Sequence, residues 1–329
     1  IMSLLGSGLL LLGLCVLYDL TGHLLMSNMR EQIAYLVAGN QYAMPLLVTI
    51  GLISLGLAIK SALFPFHAWL PDAYGYSTAS SAAMLSSLVS KGYIFLLIKL
   101  IYRVFGFEVF HDSHIINVLF IFGLMGMIFG SISAIRENDI KRMVAFSSVA
   151  QIGYIFMGIG MGTQAAMVAS VFHILSHAAT KSLLFIAATG LTEVSGGSRK
   201  FEDLTGAGFK NPCAGIAFTA GALSMVGVPL FSGFISKLLF SQAAVQNSGK
   251  MLPALIVLGI STILNAIYFM KTVIRLYTPV GAAGEDGKTF VNRKLYVVTL
   301  IGFIILNVVL GVNSQPIVDM IWQGLGMFA

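Results

Sequence analysis

Lys60-Ser61-Ala62-Leu63-Phe64-Pro65-Phe66-His67-Ala68-Trp69-Leu70-Pro71-Asp72 closes an apolar run that begins near residue 43. About 20 largely apolar residues suffice to cross a bilayer, so 43–70 reads as a membrane span with a lysine deep inside it. Pro65 removes a backbone donor and clashes with the preceding turn, which predicts a break or kink close to Lys60. Backbone groups freed in a bilayer are tolerated where they line a hydrated cavity or are buried in protein. A lysine at the bilayer centre costs about 2.5–3.5 kcal/mol even on the lenient insertion scale. A lysine beside a broken helix is the combination expected at an ion site.

The rest of the chain agrees with a membrane setting. Of its 329 residues 57% are hydrophobic and only 10% charged, against roughly 25% charged in a soluble domain. Mean hydropathy is +0.90. This excludes soluble enzymes, disordered tails, collagen and coiled coils, and the apolar runs are too long for barrel strands. Nine spans follow: 1–26, 43–70, 79–103, 114–135, 143–161, 164–193, 212–240, 251–277 and 294–316. The fold class is an all-α polytopic membrane protein, one transmembrane domain over 1–329. The segments 27–42, 194–211 and 278–293 read as its longer connections.

The net charge of +6 comes without a basic cluster interleaved with aromatics, so nucleic acid is not an expected partner. In the loops and at the span ends the basic residues sort by side. Arg136, Lys141, Arg142, Arg199, Lys200, Lys210, Lys271, Arg275, Lys288, Arg293 and Lys294 fall on one, and Arg30, Arg103 and Lys250 on the other. By the positive-inside rule the loops 136–142, 194–211 and 278–293 are cytoplasmic and the C-terminus is outside. The membrane is then the cell's inner membrane.

Five lysines lie within spans. Lys99 sits close to a span end, where snorkelling accounts for it. Lys60, Lys91, Lys181 and Lys237 need another reason. Gly227-Val228-Pro229-Leu230-Phe231-Ser232-Gly233 interrupts a second span, and Lys237 follows it. Two interrupted spans with lysines are the weak internal symmetry of inverted-repeat transporters. His173, His177 and Lys181 follow at i, i+4 and i+8 and share a helix face. Two histidines so spaced could ligate a metal, but no Glu follows the first. A proton relay or plain hydrogen bonding to neighbouring helices are the other readings. Every Asp and Glu lies in a loop or near a span end, so the lysines have no evident carboxylate partner; Asp19, Asp72, Asp139 and Glu193 come closest to the membrane. Cys15 and Cys213 read as two buried thiols without a shared role. No phosphate loop, dinucleotide fingerprint, cysteine cluster or nucleophile elbow occurs, so no cofactor, metal or catalytic chemistry is expected in this chain.

Four stretches carry a resemblance. They are Lys60–Asp72 with Ser87–Tyr93, Asn138–Arg142 running through Ala145–Ser148 to Gln151–Tyr154, His173–Phe185, and Gly227–Lys237. In this order they resemble the antiporter-like subunits of respiratory complex I, the Mrp-type sodium/proton antiporters and the membrane-bound hydrogenases. The resemblance implies a fourteen-helix fold of two inverted repeats, with discontinuous helices at Pro65 and at Gly227–Pro229. On it, 43–103 is the remainder of the first repeat, 114–277 the second, and 294–329 the C-terminal helix and tail. It makes Lys60, Lys91, His173, His177, Lys181 and Lys237 a midplane proton-transfer axis, with His67, Asp72 and Asp139 in support. It places Ile1 at the family's sixth helix, making the chain an N-terminally truncated member without the glutamate that pairs with the Lys60 position.

The expected function is proton translocation, alone or exchanged for sodium, within a multisubunit membrane complex. The expected partners are other subunits of a respiratory or Mrp-like complex, protons or sodium, and the lipid bilayer. The alternatives are a stand-alone carrier of a small anion, with lysines as its ligands, and a structural membrane subunit without transport of its own.

Overall fold

The computed structural model describes residues 1–39, 43–279 and 294–327. Lys288, Arg293 and most of the expected loop 278–293 lie outside the described residues. The elements are α1 (Met2–Thr21), α2 (Met26–Ala38), α3 (Ala43–Lys60), α4 (Trp69–Gly75), α5 (Ala79–Met84), α6 (Ser90–Leu100), α7 (Phe107–Asp112) and α8 (Ile115–Arg136). They continue with α9 (Ile140–Met161), α10 (Gln164–Glu193), α11 (Ala207–Lys210), α12 (Pro212–Val226), α13 (Ser232–Val245), α14 (Met251–Leu276), α15 (Lys294–Val312) and α16 (Gln315–Gly326). Turns of π-helix at Leu85–Val89 and Ile101–Phe105 join α5 to α6 and extend α6. Among the described residues there is no strand, only an isolated bridge between Asp139 and Lys200.

Eight of the nine expected spans are helices long and apolar enough to cross a membrane. The ninth is the pair α12–α13, divided at residues 227–231. Two stretches differ from the sequence expectation. The supposed connection 27–42 contains α2, which buries Met29, Ile33 and Leu36 along one face and leaves Arg30 and Glu31 on the other. The tail contains α16. Both are amphipathic helices too short to span. Cys15 also departs from expectation: it is exposed on α1, which in this setting means facing lipid or a neighbour.

The helix ends follow from local sequence. Asp139 caps α9 by accepting from the amides of Lys141 and Arg142 at 2.8 and 3.0 Å, and Thr163 caps α10 at Ala166. Asn211 and Pro212 start α12. α9 and α10 are buried almost all round, whereas α1 and α15 expose most of their length. The interior pair carries the serines, histidines and glutamine, and the most apolar helices form the rim, as expected when the solvent is lipid. α9 approaches α8 through glycines: a Cβ on Gly153 would stand 2.6 Å from the Gly123 carbonyl oxygen.

Both breaks flank this interior. α3 stops at Lys60, Ala62 takes φ 61°, the Phe64–Pro65 peptide is cis, and the chain turns helical again at Trp69. Side chains add second donors to the last carbonyls of α3, Ser61 Oγ to that of Leu57 at 2.8 Å and Trp69 Nε1 to that of Ile59 at 3.3 Å. α12 stops where Gly227 takes φ 92°, and α13 resumes at Ser232.

The two ends of the bundle differ in charge. At one end Arg142 pairs with Asp72 and Glu137, and Arg199 with Asp139 at 3.1 Å. Lys200, Lys271 and Arg275 line a cavity there. At the other end Arg30, Lys99 and Arg103 share a shallow cavity with Glu31, and Lys250 Nζ donates to the Gly160 carbonyl at 2.7 Å.

Candidate functional site

Lys60 is the last residue of α3, at the negative end of that helix dipole. Its Nζ donates to Ser7 Oγ at 2.9 Å and Ser3 Oγ at 3.5 Å on α1, and lies 4.9 Å from the Tyr93 ring centroid. Tyr93 belongs to α6, two residues beyond Lys91. Lys91 is 2% exposed. It donates to the Ser86 carbonyl within the π turn and to Ser90 Oγ at 3.2 Å. A π turn inserts a residue and loosens the carbonyl ladder, which is what leaves the Ser86 oxygen available to an ammonium.

Across the gap, α10 presents its own bases. The charge of Lys91 acts on His177, Lys181 and His173. The His173 and His177 rings stack with centroids 5.9 Å apart and planes 11° from parallel. Neither ring nitrogen of His177 has a protein partner, although the residue is buried. Lys181, fully buried, turns away from the histidines towards α9, donating to the Val144 carbonyl at 2.8 Å and to Ser147 Oγ. His173 Nδ1 meets Ser236 Oγ at 2.5 Å, one residue before Lys237. Lys237 closes the row by donating to the Met225 and Val226 carbonyls at 3.1 and 2.6 Å. These are the end carbonyls of α12, which the break at Gly227 leaves without helical partners.

The six bases expected from the sequence therefore lie in one row through the bundle, Lys60, Lys91, His177 with Lys181, His173 and Lys237. Among the described residues no ion pair links any of the four lysines to a carboxylate. Each ammonium rests on neutral oxygens, which orient it without cancelling its charge. Two unit charges at the 5.9 Å of the histidine pair repel by about 2.8 kcal/mol at an effective dielectric of about 20. That disfavours double protonation about a hundredfold, so a proton arriving at one base unsettles the next.

The supporting residues have a different place. Asp72 and Asp139 lie at the basic end, where Asp72 holds α4 against Arg142 and Asp139 holds Arg199 while capping α9. His67 lies in the first break, stacked on Phe64 at 5.3 Å. Sequence reading assigned no role to Ser7, Ser86, Ser147 and Ser236, the oxygens that hold the row, or to Tyr154, whose ring stacks on His173 at 5.5 Å. It also passed over Asn307 of α15, whose Oδ1 takes hydroxyls from Thr180, Ser224 and Ser232 at 2.6, 3.2 and 3.1 Å and ties the second break to α10. A polar residue in the highly apolar α15 was the one available signal.

Residues 1–264 match the family described as NADH:quinone oxidoreductase/Mrp antiporter, TM. Over 270 residues the chain is 36% identical to NADH-quinone oxidoreductase subunit N of Desulforudis audaxviator, covering 81% of this chain and 52% of that protein. It is similar to a chain of the membrane-bound sulfane sulfur reductase, an archaeal respiratory membrane complex, with TM-score 0.85 and 28% identity over 99% of this chain and 64% of that one. Its fold also matches a chain of the Mrp complex from Dietzia sp. DQ12-45-1b, with TM-score 0.85 and 24% identity over 98% of this chain and 66% of that one. The chain spans about half the length of the curated relatives it matches. The all-helical, multi-pass bundle with its two divided helices is thus the antiporter-like fold, and the chain belongs to the NADH:quinone oxidoreductase/Mrp antiporter transmembrane family.

Proposed function

We propose that this chain moves protons along the row from Lys60 to Lys237, as a transporting subunit of a multisubunit membrane complex whose redox chemistry lies elsewhere. The observation that carries this reading is the continuity of the row: amine and imidazole bases run from one broken helix to the other, Lys91, His173, His177 and Lys181 buried between half-buried Lys60 and Lys237, and every lysine is held by neutral oxygens. Amines and imidazoles take protons, whereas sodium would need a cage of oxygen ligands. Sodium exchange, if coupled, belongs to other parts of the assembly. The partners are the other membrane subunits of a respiratory or Mrp-like complex. Residues 43–103 act as part of one repeat and 114–277 as the other, with 294–329 as C-terminal helix and tail. The membrane is the cytoplasmic membrane, with the basic end inside and the C-terminus outside.

A carrier of small anions is not favoured. Each lysine already faces carbonyl and hydroxyl oxygens, acceptors that would repel an anion. Replacing Lys60 or Lys237 with Met removes the base and keeps most of the stem. Both variants should insert normally and lose proton translocation, measured as pH change in vesicles containing the whole assembly. Wild-type translocation in both would end this reading and leave a structural role.

A further inference from the structure

The second helix break is gathered around oxygen. Asn307 of α15 faces it with Oδ1, because its Nδ2 donates to the Phe303 carbonyl at 2.9 Å. A flipped amide would set two carbonyl oxygens against each other there. Around Oδ1 stand the hydroxyls of Thr180 on α10, Ser224 on α12 and Ser232 on α13, at 2.6, 3.2 and 3.1 Å. Ser176 of α10 adds its own hydroxyl, 2.8 Å from Ser232 Oγ, and the Thr180 and Ser224 hydroxyls lie 3.2 Å apart. All five residues are buried. Lys181, which follows Thr180, turns to α9 instead, so no ammonium enters the cluster. Hydrogen is short here. Thr180 carries one hydroxyl hydrogen, yet its oxygen lies 2.8 Å from the Ser176 carbonyl as well as 2.6 Å from Asn307 Oδ1, and neither of those oxygens can donate. A carbonyl oxygen offers two lone pairs, but three hydroxyl oxygens converge on Oδ1. Oxygens that meet without a hydrogen between them repel. A water brings hydrogens and also one more oxygen, whereas a cation bonds several oxygens at once and removes the surplus.

We propose that Asn307, Thr180, Ser224, Ser232 and Ser176 bind one sodium ion at the second break, as a resident of the fold rather than as cargo. Ligands that are all oxygen select a hard cation, and the unwound parts of broken membrane helices are places where such ions are coordinated. The cluster holds no carboxylate, so a divalent ion would bring a buried charge that nothing offsets. Oxygens 2.6–3.2 Å apart enclose a small ion more readily than potassium. Bound there, sodium fastens α10, α12, α13 and α15 to one point. Ser224 directly precedes Met225 and Val226, whose carbonyls hold Lys237, so the ion steadies the seat of that lysine without touching it. Among the described residues no hydrogen bond joins the cluster to the six bases, and the proposal stands apart from the reading of the row.

The test melts the purified complete assembly in sodium, potassium or choline chloride at equal ionic strength and follows this subunit. A ligand that binds only the folded state stabilises it by mass action, so sodium should raise the melting temperature along a saturating curve while potassium and choline do not. Thr180→Val removes one oxygen at nearly constant shape and should weaken the apparent sodium affinity about tenfold, the scale of one lost polar contact. Ser224→Ala should do the same. Asn307→Asp puts a carboxylate where the amide oxygen stood and should tighten that affinity about tenfold, a gain that a purely structural asparagine would not give. Equal melting in the three salts overturns the proposal, whether or not any variant assembles. An unchanged sodium dependence in both Thr180→Val and Ser224→Ala also overturns it, because the ion then sits elsewhere in the assembly. Lys237→Met should keep the sodium effect, so its proton translocation judges the lysine row alone.

Discussion

Lys237 shows what a single residue must do in this fold. Its ammonium sits on the Met225 and Val226 carbonyls, so a fixed positive charge there would satisfy the broken helix as well as a transient one. Proton transfer asks for more, because the base must also give its proton up. Arginine does not deprotonate in proteins. Lys237→Arg should therefore assemble at wild-type level and fail to translocate, read as vesicle pH change beside an immunoblot; a pumping Arg variant would mean that the charge alone matters. Asn307 tests the scaffold rather than the transfer. Asn307→Leu leaves the Thr180, Ser224 and Ser232 hydroxyls without their shared acceptor, and should cost about 1–3 kcal/mol, seen as a lower melting temperature in detergent. Lys250, at the opposite end, is held below its ordinary value near 10.5 by burial. The unfolded chain thus keeps that proton to higher pH than the folded one, so Lys250 makes stability rise with pH up to about 10.5. Lys250→Met should flatten the alkaline limb of a melting-temperature profile.

At the scale of elements, the two broken helices and the α8–α9 seam decide where the bases stand. Gly233 starts the helix that carries Lys237, and a Cβ there would lie 1.8 Å from the Ser224 carbonyl oxygen. Gly233→Ala should push α13 away from the end of α12 and lower transport more than abundance, measured as flux per assembled complex. Wild-type flux would mean the break tolerates displacement. The lysines and prolines that mark these elements were legible in the sequence, since charge is rare in an apolar chain and Pro65 and Pro229 leave few backbone options. The π turn beneath Lys91 was not legible. Leu85–Val89 has the composition of an ordinary helix, and only packing against α10 selects the extra residue. The amphipathic α2 was missed for the opposite reason: its apolar stripe is narrow and its polar face resembles a loop.

For the whole molecule, the proposed orientation can be tested directly. Lys200 is exposed at the basic end and Ser248 at the other. A cysteine at position 200 should react with an impermeant maleimide only from the cytoplasmic side, and one at 248 only from outside; the reverse pattern would invert the proposed topology. By itself the sequence determined the membrane setting, the nine spans, the two breaks and the identity of the six bases. Each of these follows from local chemistry: apolar length against bilayer thickness, a missing amide at proline, a charge where none is expected. Only the tertiary structure decided that Lys181 turns to α9 rather than stacking below the histidines, and that Ser147, Ser236 and Tyr154 stand against the bases. Serines, tyrosines and asparagines recur in membrane helices as ordinary interhelical contacts. Their role is set by which base stands within hydrogen-bonding reach, a distance that depends on how separate helices pack.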